Sequence, residues 1–165
     1  MSAEQGRELW QALVDAEREL APIRADFYNK AQDRTAILRH ALGGDSWQQA
    51  TALRFLRDFP ADSPALLPQL VDLTLSHRWA LAARQVIDRI PRDRLWPLLV
   101  PIIDAKIATT DPDDLRRLAE LLAHIRALPL LEKLVVRARG IDDPEAREVA
   151  DDFTDQYRLF WSPPS

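Results

Sequence analysis

Apolar residues recur at intervals of three and four along nearly the whole chain of 165 residues, which is the spacing of amphipathic helices. In the first segment, one such stripe consists of Leu9, Leu13, Ala16 and Leu20. The sequence has no sustained alternation and none of the Asn-Gly or Asp-Gly pairs that mark β-hairpins. The pattern therefore predicts an all-α protein of about nine helices, whose short connecting loops make neighbouring helices antiparallel.

Prolines, glycines and capping residues predict where the helices begin and end. The predicted helices are a first through residue 20, a second from Pro22 to Leu42, and seven more at about 45–59, 63–76, 78–90, 93–108, 111–126, 128–140 and 143–159. The 12 prolines greatly outnumber the 4 glycines, an imbalance that suits short helices with punctuated ends. Pro101 falls inside the sixth helix, so we expect a kink or a break there.

Several of the predicted helices align with one another as an internal repeat. The register alanines, spaced by 31, 36 and 31 residues, are Ala52, Ala83, Ala119 and Ala150. A larger apolar residue follows each alanine by three positions: Phe55, Val86, Leu122 and Phe153. The intervening helices align on a second register of prolines, expected in the first helical turn: Pro68, Pro97 and Pro129. A small alanine lets two helices approach closely, so stacked helix pairs would bury one continuous core.

Two segments towards the C-terminal end resemble the HEAT-like repeat family, in its variety of roughly thirty residues per repeat. They are Asp111-Pro112-Asp113-Asp114-Leu115-Arg116 and Asp142-Asp143-Pro144-Glu145-Ala146-Arg147, which look like the family's Asp-Pro opening followed by an apolar residue and arginine. The resemblance extends over residues 45–160. It implies a curved α-solenoid that presents its second helices on the concave side and binds a macromolecule. Some relatives are enzymes, notably alkylpurine DNA glycosylases and bilin lyases, so the fold leaves the class of function open.

The repeats divide the chain into three predicted parts. Residues 1–44 are expected to form an N-terminal helical hairpin that packs on the repeats as a cap, residues 45–159 the repeats themselves, and residues 160–165 a short tail. The last helix carries a run of carboxylates: Asp142, Asp143, Glu145, Glu148, Asp151, Asp152 and Asp155. We expect this run to give the end of the stack a polar outer face that prevents further stacking. A docking surface for a basic partner is the alternative.

The composition excludes several kinds of site. The chain has no cysteine, which rules out disulfides, thiolate zinc sites, iron–sulfur clusters and a cysteine nucleophile, and suits the cytoplasm. The three histidines, His40, His77 and His124, lack the spacing of metal ligands, and there is no serine-elbow motif. We therefore predict no catalytic residue, metal ion or cofactor. We also expect no membrane partner, because neither a signal-peptide pattern nor a long apolar run is present.

A partner-binding surface is predicted on the second helices of the repeat pairs. On each of these helices, the residues one and four positions after the register proline share a face, and so does the residue eight positions after Pro129. The candidates are Gln69, Asp72, Leu98, Pro101, Leu130, Lys133 and Arg137. The apolar middle row between polar rows is a common pattern in binding sites. Burial of these rows by the N-terminal helices is the alternative. Trp161, in the tail, is a further candidate that either docks on its own chain or is offered to another molecule.

These observations favour a non-catalytic protein-binding module, such as an adaptor, an inhibitor or an immunity-type protein. A nucleic-acid-binding protein related to the alkylpurine DNA glycosylases is the alternative, because residues 77–110 contain six basic and three acidic groups and because the tryptophans could stack on bases. The arginines that support it are Arg84, Arg89, Arg92, Arg94, Arg116, Arg117 and Arg126. The net charge of −4 argues against that alternative. An enzyme acting on a small molecule is the third hypothesis.

Overall fold

The computed structural model describes residues 2–109, 111–157 and 160, and in these ranges the chain is all-α, without any strand. The described residues form nine α-helices and one 3-10 helix, Pro60–Leu66. The α-helices are α1 (Ala3–Lys30), α2 (Arg34–Leu42), α3 (Ser46–Asp58), α4 (Leu67–Thr74), α5 (Ala80–Asp88), α6 (Arg92–Thr109), α7 (Pro112–His124), α8 (Leu128–Arg139) and α9 (Pro144–Tyr157). The predicted all-α class and the number of helices are therefore confirmed.

Local sequence signals account for most of the helix ends. The Asp45 side chain accepts hydrogen bonds from the backbone amides of Trp47 and Gln48 at the start of α3, and Asp111 caps α7 in the same way. Pro68 and Pro129 lie in the first turns of α4 and α8, where a missing amide hydrogen breaks no intrahelical bond.

The predicted break at Pro22 is wrong, because α1 continues through that proline without interruption. A helical proline removes a single backbone hydrogen bond, and the carbonyl it would have used can bond to water on this exposed helix. The helix ends instead at Lys30, and Asp33, three residues later, adopts a left-handed backbone conformation with φ of 51°. Helix α1 is thus longer than predicted, and α2 is shorter than predicted.

At Pro101, where a kink or a break is predicted, the break does not occur. Helix α6 is continuous, and Pro97 lies in its second turn, not in the first turn as expected. The two prolines are four residues apart and both are exposed, so they lie on one solvent-facing side where the freed carbonyls can bond to water. The predicted fourth helix, in contrast, divides into the 3-10 helix and the shorter α4.

The core follows the two sequence registers. All four register alanines are buried, and so are the four larger residues that follow them. The first members of the aligned helix pairs contact each other in chain order, α3 with α5, α5 with α7 and α7 with α9. The second members do the same, α4 with α6 and α6 with α8. The register alanines and their larger followers are therefore part of the core.

Helix α1 is the exception, because none of its residues is buried. Its C-terminal end contacts the core through Phe27, whose ring centroid lies 5.0 Å from that of Phe55, and through Tyr28, which stacks on Phe59 at 5.0 Å. Towards its N-terminal end, Leu9, Trp10 and Leu13 stay exposed. This helix of 28 residues therefore adds little to the core.

Candidate partner-binding surfaces

The first candidate surface is the exposed side of α4, α6 and α8, which we call the second-helix face. Two ion pairs join the three helices across it. Lys106 on α6 lies with its Nζ 2.6 Å from Oδ1 of Asp72 on α4, and Lys133 on α8 lies 2.7 Å from Oδ1 of Asp104 on α6. Two predicted binding residues, Asp72 and Lys133, therefore already hold neighbouring helices together.

An apolar strip runs along α6 between these two ion pairs. Leu98 is 42% exposed and Pro101 is exposed beside it, as the prediction requires. Val136 on α8 is 65% exposed and was missed, because it falls seven positions after its register proline and not at one of the chosen positions. The strip with its charged borders forms a small apolar patch rimmed by polar groups.

The remaining predicted site residues have different surroundings. Gln69 is half-buried and donates from Nε2 to the backbone oxygen of Arg39 at 3.3 Å. Arg137 is exposed at the edge of the face. Leu130 is only 5% exposed, so its prediction as a surface residue is wrong. Helix α8 packs against α6, α7 and α9 at once, and this wide contact buries a position that would otherwise face solvent. Trp161 lies outside the described residues.

The second candidate surface is an apolar groove of about 550 Å³ between the C-terminal half of α1, α2 and α3, which we call the N-terminal groove. Ile23 on α1, Ile37 on α2 and Trp47 on α3 line it and are 63%, 48% and 84% exposed. The sequence predicts the apolar stripe on α1 and an N-terminal cap that packs on the repeats, but not this groove. The missed signal is that α1 has no counterpart in the repeat registers that would cover it.

A third, polar groove lies between α5, α7 and α9 and contains several arginines on which the nucleic-acid hypothesis depends. Arg84 forms an ion pair with Glu120, and Arg116 lies 2.9 Å from a carboxylate oxygen of Asp152. Arg117 donates to the backbone oxygen of Leu75. These arginines are thus held by partners on neighbouring elements, as expected of contacts between stacked helices.

Comparison with protein-family models, curated proteins and solved structures finds no match. The resemblance to HEAT-like repeats therefore stays a prediction. Within the described ranges, no helix is both long and apolar enough to cross a lipid bilayer. The same residues contain no cluster of three or more histidine and carboxylate side chains able to hold a metal ion.

Proposed function

We propose that this chain is a HEAT-like α-solenoid that acts as a non-catalytic protein-binding module, of the adaptor, inhibitor or immunity type. Support for the solenoid comes from the two rows of contacts, one through α3, α5, α7 and α9 and one through α4, α6 and α8. Helices of one row also contact helices of the other row, α4 with α5 and α8 with both α7 and α9. Stacking of this kind produces extended surfaces suited to macromolecules.

One observation carries the binding proposal: the second-helix face presents exposed Leu98 and Pro101 between the Asp72–Lys106 and Asp104–Lys133 ion pairs. The ion pairs link the three helices and so limit their relative movement, and a rigid surface loses less entropy on binding. The apolar strip supplies area to bury, and the charged rim supplies orientation.

The proposal is tested by isolating complexes of the full chain from the cells that express it, and by identifying the retained proteins by mass spectrometry. Leu98→Glu should release a genuine partner, because it places a charge in the middle of the strip. Leu81→Glu is the matched control, since Leu81 is an exposed leucine (61%) on α5, away from this face. A partner released equally by both variants, or by neither, would show that the second-helix face does not bind it.

The nucleic-acid alternative has less support. Three of its seven candidate arginines, Arg84, Arg116 and Arg117, are engaged within the chain, and an arginine paired with a carboxylate contributes little to phosphate binding. The other four, Arg89, Arg92, Arg94 and Arg126, are exposed, but the net charge of −4 still argues against nucleic-acid binding. A titration of the full chain with duplex DNA at low ionic strength tests this alternative directly, and binding that weakens steeply with added salt would favour it over protein binding.

A further inference from the structure

Helix α1 carries an apolar seam with the spacing of a coiled coil. Its members alternate in steps of four and three: Leu9, Leu13, Ala16, Leu20, Ile23 and Phe27. This heptad spacing keeps one seam directed at a partner helix along its whole length. Leu9, Leu13 and Ile23 are 61%, 53% and 63% exposed, so the chain leaves much of the seam uncovered, whereas Phe27 at its C-terminal end packs against Phe55. The helix is about 42 Å long, which leaves ample length for pairing.

The two halves of α1 differ in their surroundings. The C-terminal half forms one wall of the N-terminal groove, with Leu20, Ile23 and Phe27 among its lining residues. The N-terminal part, residues 3–16, which we call the free half, does not line this groove. The free half thus exposes the N-terminal part of the apolar seam, and the C-terminal part of the same seam lines the groove.

The free half is acidic, whereas the groove has a small net positive charge. The free half contains three carboxylates, Glu4, Glu8 and Asp15, and one arginine, Arg7, which gives a net charge of −2. The charged residues lining the groove are Arg24 and Arg54. Both lie near Glu17 of their own chain, at 3.5 and 3.7 Å, so the groove with Glu17 has a net charge of +1. An acidic helix with an apolar seam therefore fits the groove.

We infer that the occupant of the N-terminal groove is a second copy of this chain. The free half of each α1 lies in the groove of the other copy, so the two helices pair antiparallel about a two-fold axis. This arrangement is closed and self-complementary, as most homodimer interfaces are. A parallel pair would place the two acidic free halves together and would bring both folded bodies to the same end. The inferred surface differs from the second-helix face, so either proposal can fail without the other.

The exposed apolar area is in keeping with such a dimer. A stable interface buries about 800 Å² per partner. Trp10 and Trp47 are 65% and 84% exposed, and together they offer roughly 300 Å² of surface per chain. The exposed leucines and isoleucines of the seam and groove add to this area. Exposed apolar surface that exceeds a few hundred Å² often marks an interaction site.

The first test is the molar mass of the full chain in solution, measured by sedimentation equilibrium across a concentration series. We expect a monomer–dimer equilibrium. Leu13→Glu should weaken dimerisation by about 100-fold, roughly tenfold for each of the two leucines replaced in the dimer. Leu81→Glu is the matched control, and it should leave the equilibrium unchanged because Leu81 lies on α5. Both leucines are exposed, so we expect each variant to fold, and circular dichroism checks that it does.

The second test determines the orientation of the two helices. In the antiparallel register, Leu13 packs against the partner's Ile23 and Ala16 against the partner's Leu20. The chain has no cysteine, so introduced cysteines report only this contact. When Leu13→Cys and Ile23→Cys chains are mixed and mildly oxidised, we expect the mixed disulfide to exceed both symmetric disulfides. A parallel pair would instead give the symmetric Leu13→Cys product.

A third variant uses a like-charge contact. The antiparallel register places Glu19 near the partner's Glu19, so Glu19→Gln should tighten the dimer. A parallel register would place Glu19 near the partner's Arg24, and the same change would loosen it. The inference is overturned if the chain is monomeric throughout the series, if the symmetric disulfide dominates, or if α1 is instead covered by lipid vesicles or by a different protein through Leu13.

Discussion

Helices α1 and α7 both carry an apolar stripe at helical spacing, but the stripe is buried in α7 and largely exposed in α1. Helix α7 buries five residues, including Leu118 and Leu122, between α5, α8 and α9. Helix α1 is twice as long and buries none. The comparison teaches that an amphipathic pattern indicates that a helix needs a partner, but not whether the partner is the same chain. Substitutions in matched pairs, one in each region, test this difference.

The largest difference should come from truncating the stripe itself. Leu122 is fully buried in α7, so Leu122→Ala should lower the free energy of unfolding by about 2–5 kcal/mol, because it removes packing and leaves a cavity. Leu13→Ala in α1 should change it by less than about 0.5 kcal/mol in the monomer, because Leu13 is exposed. Urea unfolding at low protein concentration measures both values. Equal losses would show that α1 is part of the cooperative core.

The second-largest difference in stability between α7 and α1 should come from replacing an alanine by a larger residue. Ala119→Leu should cost about 1–3 kcal/mol, since the added atoms have no space between the packed helices. Ala16→Leu should leave the monomer as stable as before, because Ala16 is exposed, and should tighten the proposed dimer by filling its seam. Thermal unfolding and sedimentation report the two effects. A stable Ala119→Leu variant would contradict close helix approach at the register alanine.

The helix caps should give a smaller contrast. Asp45 accepts from two amides at 2.9 Å at the start of α3, so Asp45→Ala should lower stability by about 1 kcal/mol. Ser2 forms a capping box with Gln5 at the start of α1, and Ser2→Ala should cost only a few tenths of a kcal/mol because that end frays without disturbing the core. Hydrogen exchange of the α1 amides should nevertheless rise in the Ser2 variant. A full loss of about 1 kcal/mol there would couple the N-terminus of α1 to the core.

The smallest effects belong to surface ion pairs. Asp104→Asn removes the negative charge that pairs with Lys133, whose side chain is 56% exposed, and should cost less than about 1 kcal/mol. Asp15→Asn removes an i,i+3 ion pair with Arg18 on α1. The side chains of Asp15 and Arg18 are 53% and 73% exposed, so the change should have no measurable effect. Repeating both in high salt should erase the difference, since solvent ions screen such pairs. A loss that persists in high salt would indicate a packing role for Asp104.

Features decided by neighbouring residues could be predicted from the sequence. The Asp45 and Asp111 caps are formed within three residues of each aspartate, and the register alanines repeat on the scale of one helix pair. Pro22 and Pro101 misled the prediction, because a proline lowers helix stability without deciding whether the surrounding residues can carry the helix past it.

The candidate surfaces were predicted less well than the helices. Leu98, Pro101 and Lys133 are exposed on the second-helix face as expected, whereas Leu130 is buried. Spacing along one helix places side chains on a face, but the number of neighbouring helices decides how wide the buried face is. Helix α8 has three such neighbours.

The order of residues alone determined the helical class, most helix ends and the two registers. These features depend on hydrogen bonds, caps and small-residue contacts that act over one or two helical turns. Contacts between elements far apart in the chain decided the rest: they paired Lys106 with Asp72, buried Leu130 and left Ile23 and Trp47 exposed beside an open groove. The physical reason is the separation along the chain of the residues that interact. A helix forms by local interactions, but the covering of its apolar side depends on which other surface reaches it.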